Sequence, residues 1–96
     1  MANVFDKDGN ELRTPIAIPP GELLLEEVEE RELKKTDLAK LLGLLPGNLS
    51  ELFKGKRHIN ARLAVRLENV LGISAEYWMG LQSAYDLTIA RELEHA

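Results

Sequence analysis

Apolar residues, most of them leucine, recur every three or four positions along the chain, which is the spacing of one face of an α-helix. Proline at the start of a segment and glycine just after its end mark helix boundaries. Aromatic and β-branched residues are few, which favours an all-α fold. The pattern predicts five helices, at about residues 20–31, 35–42, 46–54, 61–71 and, after a capping Ser74, from residue 75 onward.

The same spacing predicts which side chains face the core. The expected set is Leu24, Leu25, Val28, Leu38, Ala39, Leu42, Leu49, Leu52, Phe53, Leu63, Leu67, Val70, Leu71, Trp78, Leu81, Tyr85 and Ile89. Trp78, Leu81 and Tyr85 share one side of the fifth helix, where aromatic residues can also line a ligand site. We favour a core or dimer seam for these three, because helical spacing of large apolar residues is typical of packing. Gln82 and Asp86 are expected to cap or bridge neighbouring helices.

Residues 1–18 are expected to form an irregular leader, which could contain a short hairpin around Gly9. The Asp-x-Asp-Gly-Asn run that starts at Asp6 is similar to a calcium-binding loop. However, that loop needs glycine at its sixth position and an acid at its twelfth, where this chain has Glu11 and Ala17. A plain turn is therefore favoured. Residues 19–96 are predicted to form one folded domain.

Composition excludes several classes of protein. The chain has no cysteine, so disulfides and thiolate metal sites are excluded. It has no apolar run of membrane-spanning length and no secretory signal, so we expect a cytoplasmic protein without a membrane partner. The two histidines, His58 and His95, are far apart, and no nucleophile and base stand at a suggestive spacing. We therefore expect that the protein is not an enzyme and that it binds no cofactor and no metal ion.

Charge is strongly segregated in this acidic chain. Residues 33–67 carry eight basic and two acidic side chains, a net charge of +6. Residues 1–32 carry three basic and nine acidic side chains, and residues 68–96 one basic and five acidic, net charges of −6 and −4. Phosphates respond to the local field, because distant charges are screened within about 10 Å at ordinary salt. The basic segment can therefore bind a polyanion.

The second and third helices, joined by a short turn that contains Gly43, form the pattern of a helix–turn–helix. If Leu49, Leu52 and Phe53 face the core, the spacing of about 100° per residue turns the other side of the third helix outward. In this motif that side enters the major groove of double-stranded DNA. The candidate base-facing residues are Pro46, Gly47, Asn48, Ser50 and Glu51. The candidate phosphate-binding residues are Lys34, Lys35, Lys54, Lys56 and Arg57.

These base-facing residues predict modest sequence discrimination. Asn48 can pair with adenine, Ser50 with several bases and Glu51 with the amino group of cytosine, although Glu51 also repels phosphate. Leu45 stands where a serine or threonine cap is expected, and Pro46 partly offsets the missing cap. Affinity should depend on the basic flanks and on dimerisation, since a palindromic operator calls for two recognition helices about 34 Å apart. The dimer is expected to form through residues 78–93.

The chain resembles the Xre/Cro-type helix–turn–helix family and, within it, the HigA antitoxins, also called VapI-type proteins. The motifs that carry the resemblance are Leu38-Ala39, Gly43, Leu49, Leu52, Gly55, Ala64, Leu71-Gly72, the Pro20-Gly21-Glu22 start and the Trp-x-x-Leu-Gln-x-x-Tyr-Asp-Leu ending at 78–87. The resemblance implies a five-helix lambda-repressor-like fold. It also implies the antitoxin of a type II toxin–antitoxin pair, which neutralises a basic, RelE-like mRNA-cleaving toxin and represses its own operon as a homodimer.

One side of the first helix is strongly acidic and has two interpretations. It is either a solvated face or a docking surface for the basic toxin, in which case Glu26, Glu29 and Glu30 are the candidate contacts. Two other functions stay open. A stand-alone Xre-type transcriptional regulator would lack a toxin encoded beside its gene. A protein-interaction module that has lost DNA binding would give no gel shift with the promoter of its operon.

Overall fold

The computed structural model describes residues 18–95, which form five helices without a strand among them. The helices are α1 (Pro20–Glu30), α2 (Lys35–Leu42), α3 (Pro46–Phe53), α4 (Ala61–Leu71) and α5 (Ala75–Glu94). The predicted all-α, five-helix fold is confirmed. Helices α1 and α3 end one residue earlier than predicted, because Arg31 and Lys54 are the residues that cap them. The predicted leader lies outside the described residues, apart from Ile18.

The helices form a closed ring around one core. Helix α1 packs against α3 and α5, α2 packs against α3 and α4, and α4 packs against α5. Most of the predicted core is confirmed as buried: Leu24, Val28, Leu38, Ala39, Leu42, Leu49, Leu52, Phe53, Leu67, Leu71 and Trp78. Leu25, Leu63, Val70 and Leu81 are partly buried against it. Ala64 and Ile59 are also buried, although the apolar periodicity did not assign them to the core.

Helix ends are fixed partly by arginines from distant segments. Gly43 ends α2 in the left-handed conformation, with φ of 70°, which confirms its predicted role. The Arg66 guanidinium of α4 reaches across and donates to the carbonyl of Leu42 at 2.9 Å. In the same way, Arg31 donates to the carbonyl of Leu71 at 2.9 Å. Both contacts satisfy a carbonyl that a helix C-terminus leaves without a partner, and both join separate helices.

Gly21 explains why α1 can lie so close to α3. A Cβ atom placed on Gly21 would collide with the backbone carbonyl of Leu52, near the end of α3. The first turn of α1 therefore packs directly on the backbone of α3, and only glycine leaves the necessary space. This contact helps to set the position of α3 in the fold.

Candidate nucleic-acid interface

The α2–α3 pair has the geometry of a helix–turn–helix. Three residues separate the helices, and the amide of Leu44 in this turn donates to the carbonyl of Ala39 in α2 at 2.8 Å. Leu49 and Leu52 are almost completely buried, and Phe53 is 8 % exposed. With these three side chains fixed in the core, the opposite side of α3 faces solvent.

All five candidate base-facing residues lie on or beside that solvent side. Pro46, Gly47, Ser50 and Glu51 are exposed, and Asn48 is half-buried. Leu45 precedes them as the N-cap residue, with 70 % of its surface exposed and no side-chain hydrogen bond to the helix. The predicted lack of a polar cap is thus confirmed. The start of α3 presents few polar side chains to a ligand.

The candidate phosphate-binding lysines of α2 and α3 meet at one edge of the motif. The Lys35 ammonium lies 5.6 Å from the centre of the Phe53 ring, so the first turn of α2 is beside the last turn of α3. Lys34 is the N-cap residue of α2 and Lys54 is the C-cap residue of α3. All three lysines are exposed. The fold therefore gathers cations that are twenty positions apart in the sequence.

Lys56 and Arg57 follow in the loop between α3 and α4, and both are exposed. The amide of Lys56 donates to the carbonyl of Glu51 at 2.9 Å, which ties the start of the loop to α3. The Arg57 guanidinium lies 3.9 Å from the Glu51 carboxylate. Both side chains are well exposed, so this ion pair stabilises the fold little, but it places a cation beside the one acidic group on the outward side of α3.

Sequence reasoning missed a neighbouring cleft of about 270 Å³. The cleft lies where the α2–α3 turn approaches the start of α4. Its lining residues are Leu44, Arg57, His58, Asn60, Arg62, Leu63 and Arg66. Arg62 and Arg66 belong to the basic segment of the sequence, but only the fold shows that they line the same cleft as Arg57. The basic surface is therefore wider than the five predicted phosphate-binding residues.

On α5, Trp78 is completely buried and belongs to the core of the chain itself. Leu81 and Tyr85 are half-buried on the same helix. The core interpretation of this trio holds for Trp78, while Leu81 and Tyr85 keep surface that a partner could cover. Gln82 is 5 % exposed, and its side chain joins α5 to Ile59 in the loop before α4, where a bridge to a neighbouring helix was expected.

The three candidate toxin contacts, Glu26, Glu29 and Glu30, are exposed on α1. Glu27, on the same helix, is instead engaged in a 3.1 Å ion pair with Arg31. Residues 18–95 contain no group of three acidic or histidine side chains placed to hold a metal ion. Within the same residues, no helix is sufficiently long and apolar to cross a membrane.

Comparison with known proteins identifies the family. Residues 24–78 match the family described as "Helix-turn-helix". Virulence-associated protein I of Dichelobacter nodosus is 39 % identical over 77 residues, which is 79 % of this chain and 71 % of that protein. This family is a DNA-binding class rather than a class of enzymes, in agreement with the expectation from the sequence.

Two solved structures share the fold of the whole domain. One is an addiction module antidote protein of the HigA family from Coxiella burnetii, with a TM-score of 0.76, 34 % identity and coverage of 82 % of this chain and 87 % of that one. The other is the Pseudomonas aeruginosa antitoxin HigA, solved with the higBA promoter, with a TM-score of 0.74, 32 % identity and coverage of 83 % and 94 %. This chain thus belongs to the helix-turn-helix family, and its structural neighbours there are HigA-type antitoxins.

Proposed function

We propose that this protein is a DNA-binding antitoxin that represses its own operon and neutralises a basic, RelE-like mRNA-cleaving toxin. The observation that carries the DNA part is the solvent-facing side of α3, bordered at its C-terminal end by Lys34, Lys35 and Lys54. A short helix with a free polar side and cations at its edge fits the major groove and the adjoining phosphates. The HigA protein of P. aeruginosa, solved with the higBA promoter, supports the same role.

A salt titration of DNA binding tests this role. The variant that combines Lys54→Ala, Lys56→Ala and Arg57→Ala should bind every duplex more weakly, because it loses phosphate contacts. Its plot of log affinity against log salt should be less steep by about one unit for each lost contact. Arg91→Ala is the control for the loss of a positive charge, since Arg91 is exposed on α5, which is not part of the helix–turn–helix. An unchanged slope in the triple variant would mean that these three residues do not contact the phosphates.

The promoter of the protein's own operon is the appropriate DNA. If wild-type protein gives no gel shift with it at about 50 mM salt, where phosphate contacts are strongest, DNA binding is lost and an interaction module is favoured. If it does bind but no toxin is encoded beside its gene, a stand-alone regulator is favoured. Co-expression with the neighbouring gene product, followed by a pull-down, separates the antitoxin from both alternatives.

For the toxin we propose docking on the acidic side of α1 through Glu26, Glu29 and Glu30. Complementary charge speeds association, and the effect is largest at low salt. Reversal of two of these charges, Glu26→Lys with Glu30→Lys, should therefore slow association with the toxin. The control reverses two exposed acids of α5, Glu76→Lys with Glu94→Lys. Equal rates for the two variants, or wild-type rates that do not depend on salt, would exclude this surface as the dock.

We further propose that the protein is a homodimer through α5. Leu81 and Tyr85 are half-buried, and Leu93 leaves 71 % of its surface exposed. The helical spacing of about 100° per residue places these three on one side of α5, where contact with a second copy would cover them. A dimer would also supply the two recognition helices that a palindromic operator needs. Sedimentation should give the mass of a dimer for wild type and of a monomer for Leu93→Asp. A wild-type monomer at micromolar concentration would refute the proposal.

A further inference from the structure

One buried side chain of α5 holds the loop between α3 and α4. The amide of Ile59, near the end of this loop, donates to the side-chain oxygen Oε1 of Gln82 at 2.7 Å. Gln82 is 5 % exposed and Ile59 is 1 % exposed, so water does not replace this bond easily. The bond joins residues that are 23 positions apart. It is a tertiary contact between the loop and α5, and not one of the backbone hydrogen bonds within a helix.

Asp86 orients the amide group of Gln82. The Nε2 group of Gln82 donates to Oδ1 of Asp86 at 2.9 Å, one helical turn further along α5. An ionised carboxylate can only accept hydrogen bonds, so it selects the NH₂ end of the amide. The carbonyl end of the amide is thereby directed toward Ile59. The bond to Asp86 thus determines that the oxygen of the Gln82 amide, and not its NH₂ group, faces the amide of Ile59.

The loop that Gln82 holds carries two of the cations at the proposed DNA interface. Lys56 and Arg57 lie between two fixed points of the backbone. The first is the hydrogen bond from the Lys56 amide to the carbonyl of Glu51, at 2.9 Å. The second is the bond from Ile59 to Gln82. Both cations are exposed, and their side chains extend from a backbone path that α3 and α5 hold together.

We propose that Gln82 is a positioning residue for DNA binding, which fixes the Lys56–Arg57 loop against α5 so that both cations reach the phosphates. Asp86 assists by orienting the Gln82 amide. The inference rests on the proposed function, because it assumes that the loop contacts DNA. It adds that α5, which lies outside the helix–turn–helix itself, contributes to the affinity for DNA.

Gln82→Leu tests the inference, because leucine keeps much of the volume but leaves the Ile59 amide without its acceptor. Binding to duplex DNA is measured by fluorescence anisotropy over a salt series, at a temperature where circular dichroism shows a folded protein. We expect binding about tenfold weaker at 0.1 M salt and a slope less steep by about one unit, the effect of one lost phosphate contact. Hydrogen exchange of the Ile59 amide should become faster.

A double-mutant cycle distinguishes positioning from general destabilisation. Combined with Lys56→Ala and Arg57→Ala, the Gln82→Leu change should cost far less affinity than it does alone, since the cations it positions are already absent. Ser74→Ala is the matched control on the same helix. It removes the side-chain cap that accepts from the Tyr77 amide and leaves the loop untouched. It should lower thermal stability and leave both the affinity and the salt slope at their wild-type values.

Two changes at Asp86 keep the test decisive if Gln82→Leu does not fold. Asn at this position still offers an oxygen to the Gln82 amide, so Asp86→Asn should bind DNA at least as well as wild type. Asp86→Leu offers none and should bind more weakly, although both changes remove the same charge. Equal affinities for these two variants, or strict additivity in the cycle, would overturn the inference. Loss of binding already in wild type would refute the proposed function instead.

Discussion

Helices α3 and α4 are neighbours in sequence, yet their ends are built differently. The N-cap residue of α4 is Asn60, whose side chain accepts a hydrogen bond from the Leu63 amide at 2.8 Å. At its C-terminal end, the Arg31 guanidinium donates a hydrogen bond to the carbonyl of Leu71. Helix α3 has only eight residues, and its N-cap residue, Leu45, provides no side-chain hydrogen bond. The comparison indicates that α4 is stabilised at its own ends, whereas α3 depends on the surfaces against which it packs.

This difference matters for the proposed interface. An eight-residue helix has little stability of its own in water, because the first turn is costly to form. Its position is then set by Leu49, Leu52 and Phe53 in the core and by the close approach of Gly21. The side chains on the outward side of α3 do not pack in the core, so they can contact a ligand. A disturbance of the packing partners should therefore affect α3 more than a change on its exposed side.

The largest effect is expected for Gly21→Ala. The new methyl group would collide with the backbone carbonyl of Leu52, which cannot change conformation as easily as a flexible side chain. We expect the free energy of unfolding to fall by about 3 kcal/mol, at the upper end of the usual cost of overpacking. Urea unfolding followed by circular dichroism measures the change.

Gly80→Ala is the control for this prediction. A Cβ atom at Gly80, in the middle of α5, would meet nothing within 4 Å. Alanine favours a helix over glycine by about 1 kcal/mol, so this variant should be more stable than wild type. If Gly21→Ala were also neutral or stabilising, α3 would not depend on the contact with α1 in the way proposed here.

The same contrast explains how much could be predicted from the sequence. The bounds of α2 and α4 follow from local features, such as Gly43 after the last apolar residue of α2 and the regular leucines of α4. Leu49, Leu52 and Phe53 likewise revealed which side of α3 is buried. These features act within a few residues, so the chain shows them directly.

Contacts between distant segments were not predictable in this way. Ile59 stands among polar loop residues without any apolar period, yet it is buried. The bonds from Arg31 to Leu71 and from Arg66 to Leu42 span 40 and 24 positions. Arg66 looked like one more cation of the basic segment. The sequence showed the charge, but only the folded helices determine which carbonyl it meets.

The second prediction weakens α4 at its start. Asn60→Ala removes the side-chain acceptor for the Leu63 amide and should lower the free energy of unfolding by about 1 kcal/mol. Asn69→Ala, at an exposed position inside α4, is the control and should be neutral or slightly stabilising. Thermal unfolding of both variants measures the difference. Equal stabilities would show that the cap is not the feature that separates α4 from α3.

The third prediction supplies α3 with the cap that it lacks. Leu45→Ser places a hydroxyl where it can accept from an amide of the first turn, and the lost leucine is mostly exposed. We expect a gain of about 0.5 kcal/mol in the free energy of unfolding. Leu45→Ala is the reference, because it removes the same apolar surface without adding an acceptor. A serine variant no more stable than the alanine variant would mean that packing alone determines how α3 begins.

The smallest effect on stability is expected on the exposed side of α3, at Glu51. Its ion pair with Arg57 is long, at 3.9 Å, and both side chains are well exposed, so Glu51→Gln should change the free energy of unfolding by less than about 0.5 kcal/mol. Affinity for DNA should nevertheless rise, because the change removes a negative charge from the proposed interface and leaves Arg57 free to meet a phosphate. Glu76→Gln removes an equal charge from α5 and should raise affinity less. A clear loss of stability with no change in DNA binding would reverse the assignment, since Glu51 would then stabilise the fold instead of facing the duplex.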